Sequence, residues 1–395
     1  MHSLRNSEGQ IMERKNILII GMFDSVHLAR WLSQFSDQNI DFVLFPSKKF
    51  KYVHSDLVTL TLLENIARYK FAKPYICFKY IGYLDFLAQL LFKLLRRNVR
   101  KLLLEKILTK NRFDFVHAIE IQGAGYLYNS LPQNVSSKNT LILTNYGSDI
   151  IFFKNKEEHR IKIKSVLQQA KLYSGECQRD YDIALSLGFV GKFLPCVPNA
   201  GGFKNEIFDL NILPSNERDL IVAKCYGGIF GLGGLIIDAL GIFLVDNPKT
   251  KVLIHSVTDD LIQKSLDIKT CFPGQIEIYS VRNKLTRQSL LEFLSKARLY
   301  VGASSSDGIS TSFLEALCLG AYPIQTNTAC VDEWINLGFN GSIVNTSKIE
   351  ILNALNVNYF QNDLNEKRIE NLTLAKKYLD YNFIKNKSLE FYGLI

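Results

Sequence analysis

Asp307 and Glu315 stand eight residues apart in the segment SSSDGISTSFLEALCLGAYP, with Gly308 directly after the first acid and Ser310, Thr311 and Ser312 between them. A strand-like run, ARLYVGAS, leads into small polar residues ending at Ser306; beyond Asp307-Gly308 the apolar spacing becomes helical. A helix that starts there turns its unpaired backbone N–H groups and the positive end of its dipole toward the loop, which suits a diphosphate. Ser306, Gly308, Ile309, Ser310, Thr311 and Ser312 are therefore candidates for holding phosphate. Glu315, one turn further in, could take the vicinal hydroxyls of a ribose, and Asp307 stands by the group that the phosphate carries. The same residues also allow a purely structural reading, in which the serines cap a helix and Glu315 is a surface acid.

The elements that must position these residues follow from the rest of the chain. Strand-like runs NILII (16–20), DFVLF (41–45), FDFVHAI (113–119), TLILTNY (140–146) and KLYSG (171–175) alternate with helical stretches such as SVHLARWLSQFSDQ. This alternation predicts a parallel sheet with helices on both faces over residues 11–195. Pro, Gly and Asn then cluster, and 196–218 reads as a linker. A second unit of the same kind, 219–375, opens with strand DLIVAK, the glycine-rich turn CYGGIFGLGG and helix LIIDALGIFLVDN, then continues through KVLIHSV, IEIYSV and ARLYVGAS. Residues 376–395 read as a helical tail expected to pack back on the first unit. The fold class expected is α/β, with two Rossmann-like doubly wound units.

A chain of 395 residues is long enough for two such cores. Its 47% hydrophobic and 22% charged residues are ordinary globular composition, without low-complexity stretches. The seven cysteines form no C-x-x-C pair, and the apolar run near the N-terminus is too short for a signal-peptide core, so a reduced, cytoplasmic protein is expected. The six histidines are never paired at ligand spacing and Asp259-Asp260 reads as an acidic turn, so no metal site is expected. The net charge of +9 favours anionic partners. No aromatic-basic or helix-turn-helix pattern points to nucleic acid. The densest basic stretch, residues 87–110, interleaves Lys93, Arg96, Arg97, Arg100 and Lys101 with leucines. It reads either as a basic amphipathic helix for peripheral contact with an anionic membrane face or as a helix with its leucines in the core.

The run SDGISTSFLEALCLGAYPIQ, followed by EW and GFNGSIV, resembles the donor-site signature of glycosyltransferase family 4, the retaining "group 1" enzymes of GT-B fold. The resemblance extends more faintly through GMFDSVHLARWLSQF, FDFVHAIEIQGAGYL, LTNYGSDI and the passage into the linker. It implies a fold of two Rossmann-like domains facing a cleft and transfer of a sugar, with retention, from a nucleotide-diphosphate sugar to a saccharide or lipid-linked saccharide, with no cofactor or metal. It places Asp307 near the transferred sugar and Glu315 on the ribose. The loop with Gly21, Asp24, Ser25 and His27, and the turn Gly147, Ser148 and Asp149, fall on the acceptor side. Where many members carry a His two residues after the VH of the fourth strand, this chain has Ile119 followed by Glu120, so His117 and Glu120 are the candidate catalytic groups at that strand end. The alternatives are a core histidine for His117 and a capped Gly-Ser turn for Gly147–Asp149. The family's usual basic pair in the glycine-rich turn is absent, since Gly231, Leu232, Gly233 and Gly234 occupy that place. Lys224, and Arg282 or Lys284, are the candidate replacements. That departure keeps open a non-catalytic sugar-nucleotide binder or scaffolding subunit, and the shape also admits a nucleotide-sugar epimerase. GMFDSVH lacks the G-x-G-x-x-G of a nicotinamide dehydrogenase.

Overall fold

The computed structural model describes residues 14–50, 52–62, 68–72, 98–210 and 212–395. The chain forms two compact units. Unit 1 takes the chain up to Gly201 and again from Lys385 to the C-terminus; unit 2 is Gly202–Ile384. Helices of eight or more residues are numbered below.

Unit 1 is built on a seven-stranded parallel sheet, in the order β3-β2-β1-β4-β5-β6-β7. Its strands are β1 (Lys15–Gly21), β2 (Ile40–Pro46), β3 (Arg68–Phe71), β4 (Phe115–Ile119), β5 (Leu141–Thr144), β6 (Leu172–Ser174) and β7 (Lys192–Phe193). Ile17 to Ile20 of β1 are wholly buried, as expected for a strand covered on both faces, and such strands read in the sequence as unbroken apolar runs. Helices α1 (Val26–Ser33), α2 (Ser55–Leu62), α3 (Val99–Lys110), α4 (Glu157–Gln169) and α5 (Gln178–Ser186) supply the cover. Helix α3 carries the described end of the basic stretch: Leu104, Ile107 and Leu108 lie in the core while Leu102 is exposed. Residues 87–97 of that stretch lie outside the described residues. At the chain's end, Phe391 and Tyr392 are enclosed, with Phe391 edge-on to Trp31 and Tyr392 packed on Phe35 and His117.

Unit 2 holds a six-stranded parallel sheet in the order β10-β9-β8-β11-β12-β13. The strands are β8 (Leu220–Lys224), β9 (Lys251–Val257), β10 (Ile276–Ser280), β11 (Ala297–Gly302), β12 (Tyr322–Thr326) and β13 (Ser342–Val344). Helices α6 (Gly233–Asp246), α7 (Ile262–Cys271) and α10 (Lys348–Tyr359) cover one face. Helices α8 (Arg287–Lys296), α9 (Thr311–Cys318) and α11 (Leu364–Tyr378) cover the other. The chain returns to unit 1 within helix α12 (Tyr381–Leu389). In unit 1 the strand order reverses between β1 and β4, and in unit 2 between β8 and β11. At such a switch point the loops leaving the two strands diverge to opposite faces and open a crevice at the strands' C-terminal ends, where ligands of doubly wound sheets bind.

Candidate functional site

The candidate donor-side and acceptor-side residues lie at or just beyond the C-terminal ends of those four strands, with Gly147–Asp149 just after β5 and Arg282 and Lys284 apart from them after β10. In unit 2, the loop after β8 and the loop after β11 are stitched together. Leu232 N–H donates to Ala303 O (3.2 Å) and Ser305 N–H to Phe230 O (2.8 Å). Ser304 N–H donates to Thr326 Oγ1 (3.0 Å), and Asp307 N–H to Thr328 O (3.2 Å), which fixes the serine run against β12. Gly308 N–H turns back onto Asp307 Oδ1 at 2.9 Å. Ser310 occupies the N-cap position of α9 in extended conformation, and its side chain makes no capping bond. The serines therefore do not satisfy the helix start in the way the structural reading required. Ser306, Gly308, Ile309, Ser310 and Ser312 are buried, while Asp307 and Thr311 stay half-exposed. Burial raises the Tyr226 hydroxyl above its ordinary range, with the charge of Asp307 adding to the effect.

Glu315 is not a surface acid. It is 3% exposed, and its Oε1 lies 3.4 Å from Nη2 of Arg287, the first residue of α8. Arg287 is a cation beside the motif that carries no local signal in the sequence, because α8 meets α9 only through the tertiary fold. Arg282, one of the three cations considered from the sequence, has a largely solvated side chain paired with Asp259 (2.7 Å), as the surface-charge alternative expects. Lys224 ends β8 with its ammonium 5.2 Å from the centre of the Tyr226 ring.

In unit 1, Ser25 caps α1, accepting from His27 N–H (3.2 Å), and its hydroxyl also meets Tyr146. The His27 and Tyr146 rings lie 5.9 Å apart, so the turn from Gly21 to His27 and the turn Gly147–Asp149 form one surface. Asp24 faces Lys48, 3.7 Å away. Glu120 has φ +84°, a strained conformation for a non-glycine residue, and it opens a π-helical turn, Ile121–Gly125. Its carboxylate accepts from Gly123 N–H (2.8 Å) and Ala124 N–H (2.6 Å). Asp149 accepts from Ile121 N–H (3.0 Å) and Tyr146 N–H (2.8 Å), so the two acids brace the same turn. Burial pushes the Asp149 carboxyl up to about 8, and burial likewise raises Glu120 above the usual carboxylate range. Ser148 sits half-buried between Gly147 and Asp149.

His117 has two readings, catalytic or core. It is fully enclosed, with Nδ1 2.8 Å from Tyr392 Oη and Nε2 2.7 Å from Thr144 Oγ1. Both ring nitrogens meet protein hydroxyls and burial depresses its pKa to about 3, which favours the core-histidine alternative.

No protein-family model matches the chain, and no curated protein matches it in sequence. Solved structures do. HepE of Anabaena, in complex with UDP and glucose, aligns over 97% of this chain and 100% of its own at 11% identity and TM-score 0.67. The UDP-forming α,α-trehalose-phosphate synthase of Burkholderia vietnamiensis aligns over 96% and 100% at 11% identity and TM-score 0.68. A glycosyltransferase of Rickettsia africae aligns over 96% and 98% at 12% identity and TM-score 0.67. The chain has the GT-B fold. At these identities the likeness establishes the architecture and leaves the chemistry to the residues.

Proposed function

We propose that this protein is a glycosyltransferase that moves a sugar from a nucleotide-diphosphate sugar to a saccharide or lipid-linked saccharide acceptor. The observation that carries the reading is the placement of the Asp307 and Glu315 motif at the switch point of unit 2: Asp307 is half-exposed in the loop, and Glu315 is held inside α9 beside Arg287. The GT-B fold supports it, as do neighbours solved with UDP and glucose. On this reading the α9 start receives the diphosphate, Glu315 and Arg287 face the nucleoside, and Asp307 faces the sugar. The unit 1 surface of Gly21–His27 and Gly147–Asp149 receives the acceptor, with Glu120 the carboxyl group best placed to handle its proton. Membership of family 4, retention of configuration, metal-independent transfer and a part in surface polysaccharide assembly follow from the sequence resemblance. None of the described helices is long and apolar enough to cross a membrane, and peripheral attachment to a cytoplasmic membrane face is part of the proposal.

A panel of nucleotide sugars screened for thermal stabilisation tests the donor assignment, because a ligand that binds only the folded state raises its stability. A stabilising donor should then support transfer that Glu315→Ala abolishes while the fold is retained; an active Glu315→Ala enzyme would sink the assignment. One observation favours a second reading. A Cβ on Gly231 would overlap the Tyr226 carbonyl, so that position of the glycine-rich turn has no room for a cationic side chain. A non-catalytic binder would give stabilisation without transfer or hydrolysis across the whole panel.

A further inference from the structure

Four adjacent strands of unit 2 end in a row of residues whose arrangement the reading above leaves unexplained. In register, His255 of β9 stands beside Lys224 of β8, Lys224 beside Gly302 of β11, and Gly302 beside Gln325 of β12. Residues paired in this way point to the same face of the sheet. Two positions earlier that face carries Leu253, Val222 and Tyr300, which share a core with Phe313 and Leu314 of α9. The row therefore lies on the α9 side, two residues beyond Tyr300, whose side chain approaches Ser310 at the helix start.

Gly302 has no side chain, and the Gln325 carboxamide fills the space over it; a Cβ there would overlap Gln325 Oε1. The amide thus reaches across β11 toward Lys224. His255 is 4% exposed and Gln325 2%. His255 Nε2 and Gln325 Oε1 have no hydrogen-bond partner among the described residues, an unfavourable state for buried polar atoms and a common mark of a ligand site. Lys224 is half-buried, and no described carboxylate lies within ion-pair distance of it. A cation without a counter-ion, next to a helix N-terminus, makes a local positive potential that nothing in the row cancels.

We propose that this row is the anion pocket of the donor site, in which Lys224 supplies the positive charge for the diphosphate and the uncharged His255 and Gln325 are its positioning residues. The inference rests on α9 being the nucleotide-binding helix. It accounts for the empty glycine-rich turn, since the charge enters from the strand end beneath the loop. Burial keeps His255 neutral, with its pKa depressed to about 3, so it adds no competing charge. A carboxylate in place of the Gln325 amide, identical in shape, would pair with Lys224 and cancel the site.

Calorimetric titration with UDP and GDP, and with uridine and guanosine as phosphate-free controls, measures the phosphate contribution as a ratio of affinities. The wild-type protein should bind one diphosphate far more tightly than its nucleoside. Lys224→Met should cut that ratio about tenfold or more, the size of a lost charge-assisted contact, and Lys224→Arg should keep most of it. Gln325→Glu should cut the ratio as Lys224→Met does, and the double variant should be no worse than Lys224→Met alone. Unfolding midpoints without nucleotide confirm that each variant is folded; if Gln325→Glu is not, the Met and Arg variants of Lys224 decide. An unchanged ratio in Lys224→Met overturns the anion pocket and leaves the donor site standing. A wild-type protein that binds neither diphosphate overturns the donor site itself, and the pocket with it.

Discussion

Arg287 Nη2 lies 3.4 Å from Glu315 Oε1, joining a guanidinium that is half in solvent to a carboxylate that is almost wholly enclosed. The asymmetry sets the consequence of breaking the pair. Removing the cation takes an opposing charge from a buried acid, whereas removing the acid leaves an arginine that water can solvate. Arg287→Gln should therefore destabilise the protein by about 1–2 kcal/mol, a value discounted from fully buried pairs because Arg287 is exposed. Adding Glu315→Gln to Arg287→Gln should recover part of that loss. Chemical denaturation of the two singles and the double closes the cycle, and strictly additive losses would show that the two groups do not interact.

His117 and Tyr392 make the opposite prediction about activity. The Tyr392 hydroxyl meets His117 Nδ1 and also accepts from Trp31 Nε1–H (3.2 Å), all within the core of unit 1. Tyr392→Phe deletes both contacts and should cost about 1–3 kcal/mol, because the buried partners are left unsatisfied. If His117 is structural, Tyr392→Phe and His117→Gln should lower the unfolding midpoint, while kcat per folded molecule, measured well below that midpoint, stays within about a factor of three, less than 1 kcal/mol in the barrier. A loss of kcat of several orders in a folded His117→Gln protein would return His117 to the catalytic machinery.

These two pairs mark what the sequence could and could not show. The central strands were legible because burial on both faces leaves unbroken apolar runs, as in Ile17–Ile20 and Leu141–Leu143. The edge strands β3 and β7 were missed; they are short and half-exposed, so neither run nor alternation develops. Asp307 and Glu315 were legible because their relation is local, a strand end and a helix turn. Arg287, Gln325 and His255 were not, because their neighbours are set by helix packing and strand register. His117 stayed between two readings for the same reason: the residue that meets its Nδ1 comes from the far end of the chain.

The buried acids and histidines set a pH dependence whose sign can be worked out. Asp149 has its pKa raised from 3.8 to about 8, so above pH 4 the folded state holds a proton that the unfolded state has lost. Its contribution is present at low pH and is lost as pH rises toward 8. His117 and His255 are depressed from 6.5 to about 3, so their contribution is present above 6.5 and is lost as pH falls toward 3. The two trends oppose each other below 6.5, and only the acid trend operates between 6.5 and 8. Stability should fall across that upper window by at most about 1.4 kcal/mol per pH unit for each such group, and Asp149→Asn should flatten the slope whatever it does to absolute stability. Denaturation midpoints at half-unit intervals from pH 6 to 8.5 measure this, and an equally steep decline in Asp149→Asn would refute the assignment.

The glycine-rich turn provides the last prediction, which concerns why the usual cation is missing. Gly231 forms a bridge with Ser304, and a Cβ on it would overlap the Tyr226 carbonyl; one on Gly233 would come within 2.6 Å of Cys225 backbone atoms. Gly228, in the same turn, has φ +75° but open space around its would-be Cβ. Gly231→Arg, which installs a cation in the family's place, should therefore cost about 1–3 kcal/mol through overpacking against backbone that cannot yield. Gly228→Arg should cost only the left-handed strain, about 1–2 kcal/mol, with the side chain free in solvent. The distinction lies in binding: Gly231→Arg displaces the β8 loop from Ser304 and Ser305, so UDP affinity should fall although positive charge has been added. Gly228→Arg leaves those bonds in place and should hold or raise that affinity. If Gly231→Arg bound UDP more tightly and melted at the wild-type temperature, the turn would have room for the cation after all, and the charge assigned to Lys224 would have to be shared with it.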